Sequence, residues 1–164
     1  MSTYTRKIIV LMMLSFIILT YFNNIFFSEL TAQYVVSILS YFIGVVPIIA
    51  GNIIFININD NIVPIFISFE CTGFMFISIY TLMMFMMPAI SLQHRLISLL
   101  LVPVIYLANI ARIAFSVILG IYTDVPMMVY FHDTVGQVFL LIFTVLILLI
   151  YLNIFGYIKL RRVL

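Results

Sequence analysis

Between Thr134 and Phe155 the chain runs 22 residues without one charged side chain. A helix rises about 1.5 Å per residue, so roughly 20 apolar residues cross a hydrocarbon core of about 30 Å. In lipid, every backbone N–H and C=O must find its partner within the protein, which restricts a crossing segment to a helix or a closed barrel. Residues 8–27, 72–89 and 96–119 are comparably apolar. The rest of the sequence agrees: 66% of residues are hydrophobic, 7% are charged, and the mean hydropathy is +1.37. Soluble domains carry about 25% charged residues, so a water-facing fold is excluded. Seven basic and five acidic residues are too few for the electrostatic footprint of nucleic-acid binding. Residues 1–164 are expected to form a single membrane domain with about four transmembrane helices.

Residues 8–27 follow Arg6 and Lys7, as a secretory signal would. The run is long for such a signal, is broken by Asn23 and Asn24 and offers no small-residue cleavage site, so it reads as a retained signal-anchor span. Within residues 31–47, Ala32, Val35, Val36, Leu39, Phe42, Ile43 and Val46 recur at helical three-and-four spacing opposite Gln33, Tyr34, Ser37, Tyr41 and Gly44. That pattern predicts an amphipathic helix lying in the membrane interface. Residues 53–69 change period: Ile54, Ile56 and Ile58 alternate with Phe55, Asn57 and Asn59, and Asp60 and Asn61 supply turn chemistry. A short β-hairpin is predicted, with Pro64 confining its second strand to an edge. Unpaired backbone groups keep an open hairpin out of the hydrocarbon region, so it belongs at the membrane surface.

Charge placement sets the expected topology. With 31–47 lying in the interface, four spans put Arg6, Lys7, His94, Arg95, Lys159, Arg161 and Arg162 on one side and Glu29, Asp60, Glu70, Asp124 and Asp133 on the other. The positive-inside rule makes the basic side cytoplasmic, with both termini there and the hairpin extracytoplasmic. The expected fold is therefore an all-α integral membrane bundle in the cell membrane, with the interfacial helix and hairpin attached.

Three residues stand out against this background. Arg112 lies inside the span at 96–119, and an intramembrane charge costs about 2.5–3.5 kcal/mol on insertion scales, which makes it a functional candidate. Asn109, three residues earlier, shares its helical face. The structural alternative for Arg112 is snorkelling, or an ion pair with Asp133 or Glu70. Cys71, in Phe69-Glu70-Cys71-Thr72-Gly73, falls at the start of the second span, where helix N–H groups and a guanidinium would favour its thiolate; alternatively it is a packed thiol. As the sole cysteine it excludes an intramolecular disulfide and a multi-cysteine metal site, and no metal or cofactor is expected. His132 falls at the outer start of the last span, able to take a proton from a thiol and give one to a leaving amine; an interfacial histidine is otherwise ordinary. His94 reads as a solvated loop residue beside Arg95. Under the topology drawn from charge, Cys71, Arg112 and His132 all lie toward the extracytoplasmic side, and a nucleophile, a cation and a base are the parts of thiol acyl transfer.

These segments resemble the exosortase and archaeosortase family of membrane cysteine transpeptidases. The resemblance rests on Cys71-Thr72-Gly73, where the family commonly has Cys-Ser-Gly, on Asn109-Ile110-Ala111-Arg112 within a later span, and on Phe131-His132 with Gly136. It covers about residues 51–143, as a minimal core. It implies cleavage of proteins that carry a C-terminal motif, an apolar span and a basic cluster, and transfer of the new carboxyl end to a lipid, a glycan or water. By position, Cys71 would form the thioester, His132 would act as base and then acid, and Arg112 would stabilise the thiolate or oxyanion, with Asn109, Thr72 and Gly73 supporting. The interfacial helix and hairpin would cover the site. A non-catalytic membrane subunit or chaperone, with Arg112 in a structural ion pair, is the alternative; a small transporter fits less well, since neither repeated halves nor a midplane site is visible.

Overall fold

A computed structural model describes residues 14, 24–44, 46–59, 61–87 and 90–160. The expected first span lies outside them except for Leu14 and residues 24–27, and Asp60 and the terminal charges Arg6, Lys7, Arg161 and Arg162 also fall outside. The described chain is mostly helical and carries a small antiparallel sheet.

Helix α1, Asn24–Ile43, turns the stripe Ser28, Ala32, Val35 and Leu39 inward, the three-and-four spacing that a buried helix face requires. It stops at Gly44, whose φ of 70° is a left-handed helix ending, and so ends short of the expected residue 47. Phe42 of the expected apolar face is exposed. The chain then forms β1 (Ile48–Ala50), β2 (Ile53–Ile58) and β3 (Asn61–Phe66) in the order β1-β2-β3. The expected hairpin is thus the larger part of a three-stranded sheet, because the residues ahead of Gly51 fold back as a further strand. Ile54, Ile56 and Ile58 alternate inward, as the sequence pattern required, while Asn57 faces out. Pro64 pairs opposite Phe55 on the edge strand β3, where its missing N–H disrupts no ladder.

A single 3-10 turn, Phe69–Thr72, leads from the sheet into α2, Phe74–Met86. At 13 residues this helix covers about 20 Å, shorter than the expected span at 72–89. It ends where Met87, extended at ψ 114°, precedes Pro88, as the residue before proline prefers. Helix α3 (Leu92–Ser98) passes through a 3-10 turn (Leu99–Leu101) into α4 (Val102–Tyr122). Helix α5 (Val125–Tyr130), N-capped by Asp124, whose carboxylate accepts the Met127 N–H at 2.9 Å, runs into a π turn (Phe131–Val135) and α6 (Gly136–Leu160). Among the described residues, three segments are long and apolar enough to cross a membrane: Ile25–Ile43, Leu92–Tyr122 and Val125–Ile154.

Two buried clusters hold these elements together. One joins Ala32, Val35 and Leu39 of α1 to the inner face of β2 and to Ile110, Ile113, Ala114 and Val117 of α4. The other, toward the opposite end, joins Ile77, Tyr80 and Met84 of α2 to Ile105 of α4 and Leu148 and Tyr151 of α6. His94 and Arg95 belong to that second end. The structure corrects the reading of His94 as a solvated loop residue: it lies half-buried on α3, and its neighbour Arg95 is 2% exposed with its guanidinium donating to the Met87 carbonyl. His94 Nδ1 lies 2.6 Å from the Ser91 hydroxyl, and its carbonyl accepts from Tyr151.

Candidate active site

Cys71, Arg112 and His132 come from a 3-10 turn, a long helix and a π turn, and the fold brings them together. The link begins at Asn109, fully buried on α4, whose Nδ2 donates to the Cys71 carbonyl at 2.7 Å and whose Oδ1 accepts Arg112 Nε–H at 3.2 Å. Using both ends of the amide fixes its orientation. Arg112, 6% exposed, then reaches the π turn: NH1 donates to the His132 carbonyl at 3.0 Å, and NH2 lies 3.4 Å from His132 Nε2. No carboxylate lies within ion-pair distance of Arg112 among the described residues. Asp133 is instead 2.7 Å from His132 Nδ1, and the Ser68 hydroxyl donates to Glu70 at 3.4 Å.

Two glycines permit this proximity. A Cβ on Gly73, whose φ is 74°, would stand 2.8 Å from Asn109 Cγ; one on Gly136 would stand 2.9 Å from Arg112 Cγ. Gly73 therefore lets the cysteine turn approach α4, and Gly136 lets the arginine stem lie against α6. The π turn has a related cause. Gly136 N–H bonds back to the Phe131 carbonyl, one residue farther than in an α-helix, and the His132 carbonyl is aimed at Arg112. Such single π turns are frequent at functional sites.

The Cys71 thiol is half-buried and 3.3 Å from the Ser68 hydroxyl. Burial pushes the thiol up, but hydrogen bonds with His132 and Ser68, together with the charge of His132, outweigh it and hold Cys71 below its ordinary value. The guanidinium of Arg112 is within electrostatic reach of both Cys71 and Asp133. Thr72 is buried, its hydroxyl closing the turn onto the Phe69 carbonyl at 2.6 Å, so its contribution is to the backbone that presents the thiol. These groups bring a thiol, an imidazole and a guanidinium into one hydrogen-bonded cluster beside the sheet.

The family model described as Transmembrane exosortase (Exosortase_EpsH) matches residues 1–149. The chain belongs to the transmembrane exosortase family. No curated protein and no solved structure matches it. Within this exosortase-family fold, sequence reasoning missed Ser68 as a neighbour of the thiol and Asp133 as the partner of His132. Ser68 stands three residues before Cys71, a separation that closes only if the chain turns there, and Asp133 reads in the sequence as an ion-pair partner for Arg112.

Proposed function

We propose that this chain is a membrane-embedded cysteine transpeptidase that cleaves the C-terminal sorting signal of membrane-anchored proteins and passes the new carboxyl end to an acceptor through a thioester on Cys71. The observation that carries this reading is the meeting of Cys71, Arg112 and His132, drawn from three separate elements, in one cluster. His132 Nε2 takes the Sγ proton, the thiolate attacks the scissile carbonyl, and a C–S bond forms as the carbonyl oxygen becomes an oxyanion. The Cys71 N–H is already bonded to the Ser68 carbonyl at 3.0 Å, so donors for that oxyanion must come from elsewhere. Arg112 has five N–H groups, of which at most three meet Asn109 and His132, leaving two for the oxyanion. When the intermediate collapses, the C–N bond breaks and His132 gives its proton to the leaving amine. In the second half His132 takes a proton from a lipid, glycan or water acceptor, which attacks the thioester and releases Cys71 as thiolate.

The site is on the extracytoplasmic side, with both termini cytoplasmic, in this reading. Its support is the separation of charge: Glu70, Asp124 and Asp133 lie at the end bearing the site, His94 and Arg95 at the other. A substrate held by its own span arrives already oriented, which replaces part of the entropy of encounter with proximity. The sheet and α1 form the platform beside the cysteine. The non-catalytic alternative required an ion pair for Arg112, and the described residues provide no carboxylate at that distance.

Mass spectrometry of the protein purified from expressing cells tests the reaction. A hydroxylamine-labile peptidyl adduct on Cys71, distinguished by mass from a fatty acyl group and lost in His132→Ala, which lacks the base and acid for acylation, is the expected result. Undiminished processing of surface proteins in Cys71→Ala cells would overturn it.

A further inference from the structure

Asp133 follows His132 on the π turn. On a regular helix adjacent side chains diverge, yet here the Asp133 Oδ1 and His132 Nδ1 are 2.7 Å apart. The imidazole is thereby divided between two environments. Nδ1 faces a carboxylate, Nε2 faces Arg112 at 3.4 Å, and the ring is within hydrogen-bonding reach of the Cys71 thiol. Among the described residues, Cys71, Arg112 and Asp133 are the charged and titratable groups that bear on His132. Their arrangement poses a difficulty that the carboxylate resolves. Once His132 has taken a proton from Cys71, an imidazolium stands against a guanidinium, and two cations at such a distance repel strongly away from bulk water. A negative charge on the far side of the ring offsets that repulsion.

We propose that Asp133 is a positioning residue that acts through His132: its carboxylate keeps the proton on Nδ1, turns Nε2 toward Cys71 and Arg112, and stabilises the imidazolium that forms when the thiol ionises. The role in turnover rests on the transpeptidase reading above; the effect on the thiol does not. Asp133 is the more solvent-exposed partner, its side chain 61% exposed against 20% for His132, so its replacement removes a charge with little packing. The Arg112–His132 carbonyl bond and the Gly136 contact, which shape the π turn, do not involve it.

The sign of one shift decides the matter. A carboxylate acting on Cys71 only as a nearby negative charge disfavours the thiolate, so its removal would make the thiol ionise more readily. A carboxylate acting through His132 favours the thiolate, so its removal has the opposite effect. The experiment follows the pH dependence of Cys71 alkylation by a maleimide in membranes containing the full chain, for wild type, Asp133→Asn, Asp133→Ala and each of these in a His132→Ala background. Both single variants are expected to raise the pH of half-maximal labelling by about one unit, about a tenfold loss of thiolate on the acid side. With His132 absent, the same substitutions are expected to produce no rise. An unchanged or lowered midpoint in the single variants overturns the proposal, as does an equal rise without His132. Labelling requires no substrate, so this outcome is independent of whether a peptidyl adduct forms on Cys71.

Discussion

Cys71 is placed where a β-sheet gives way to a helix, and its reactivity follows from what surrounds the sulfur. Burial alone would push the thiol up; contact with His132 and Ser68 outweighs it. With its titration point held below that of an ordinary cysteine thiol, alkylation should reach its plateau at a correspondingly lower pH than for a free thiol. Ser68→Ala removes one of these contacts and should shift the alkylation curve toward higher pH, by less than His132→Ala does; a curve that coincides with wild type would remove Ser68 from the site. Arg112→Lys keeps the charge but cannot give separate N–H groups to Asn109, the His132 carbonyl and an oxyanion. Loss of an oxyanion donor typically slows turnover about 10²–10³-fold, and a loss of that order is expected in processing assays. At this scale the sequence was most legible where a residue was out of place, as Arg112 and Asn109 are inside an apolar helix. Ser68 and Asp133 are ordinary in a polar connection, and only the turns that bring them to Cys71 and His132 give them significance.

Among the elements, the π turn at Phe131–Val135 and the helix after it tie the site together. Arg112 bonds to the carbonyl of His132, so the same side chain that lies within electrostatic reach of the thiol also secures the backbone carrying the imidazole. Gly136→Ala would place a methyl group against the arginine stem and against the Phe131 carbonyl at 3.0 Å. Overpacking of this kind costs about 1–3 kcal/mol, so the variant should show a lower thermal midpoint in detergent together with slower processing; wild-type values for both would argue that α6 shifts without consequence. The alternation of Ile54, Ile56 and Ile58 made the sheet readable, as did the α1 stripe, because each buries one face against a neighbour. The short strand Ile48–Ala50 was not readable: it has three exposed residues and so no alternation to betray it. Nor does apolarity report where a helix stops, which is why the 13-residue α2 looked like a full crossing.

For the whole molecule, the separation of the acidic end from the basic end is the feature most directly written in the sequence, since lipid tolerates few charges and those few must lie near its surfaces. The two buried clusters correspond to these ends, one beneath the sheet and the cysteine, the other around Tyr80, Met84 and Tyr151. Burial of Arg95 at the second end could not be foreseen from a loop-like sequence, because it depends on α3 folding back over the Met87 carbonyl. The central claim is that an extracytoplasmic Cys71 is coupled to His132 and Arg112, and one measurement addresses all of it: labelling of Cys71 on intact cells with a membrane-impermeant maleimide, followed against pH in wild type, His132→Ala and Arg112→Gln. The account predicts labelling without permeabilisation, a midpoint below that of a free cysteine thiol, and a higher midpoint in both variants. Labelling only after the membrane is opened, or a midpoint that ignores both substitutions, would contradict it.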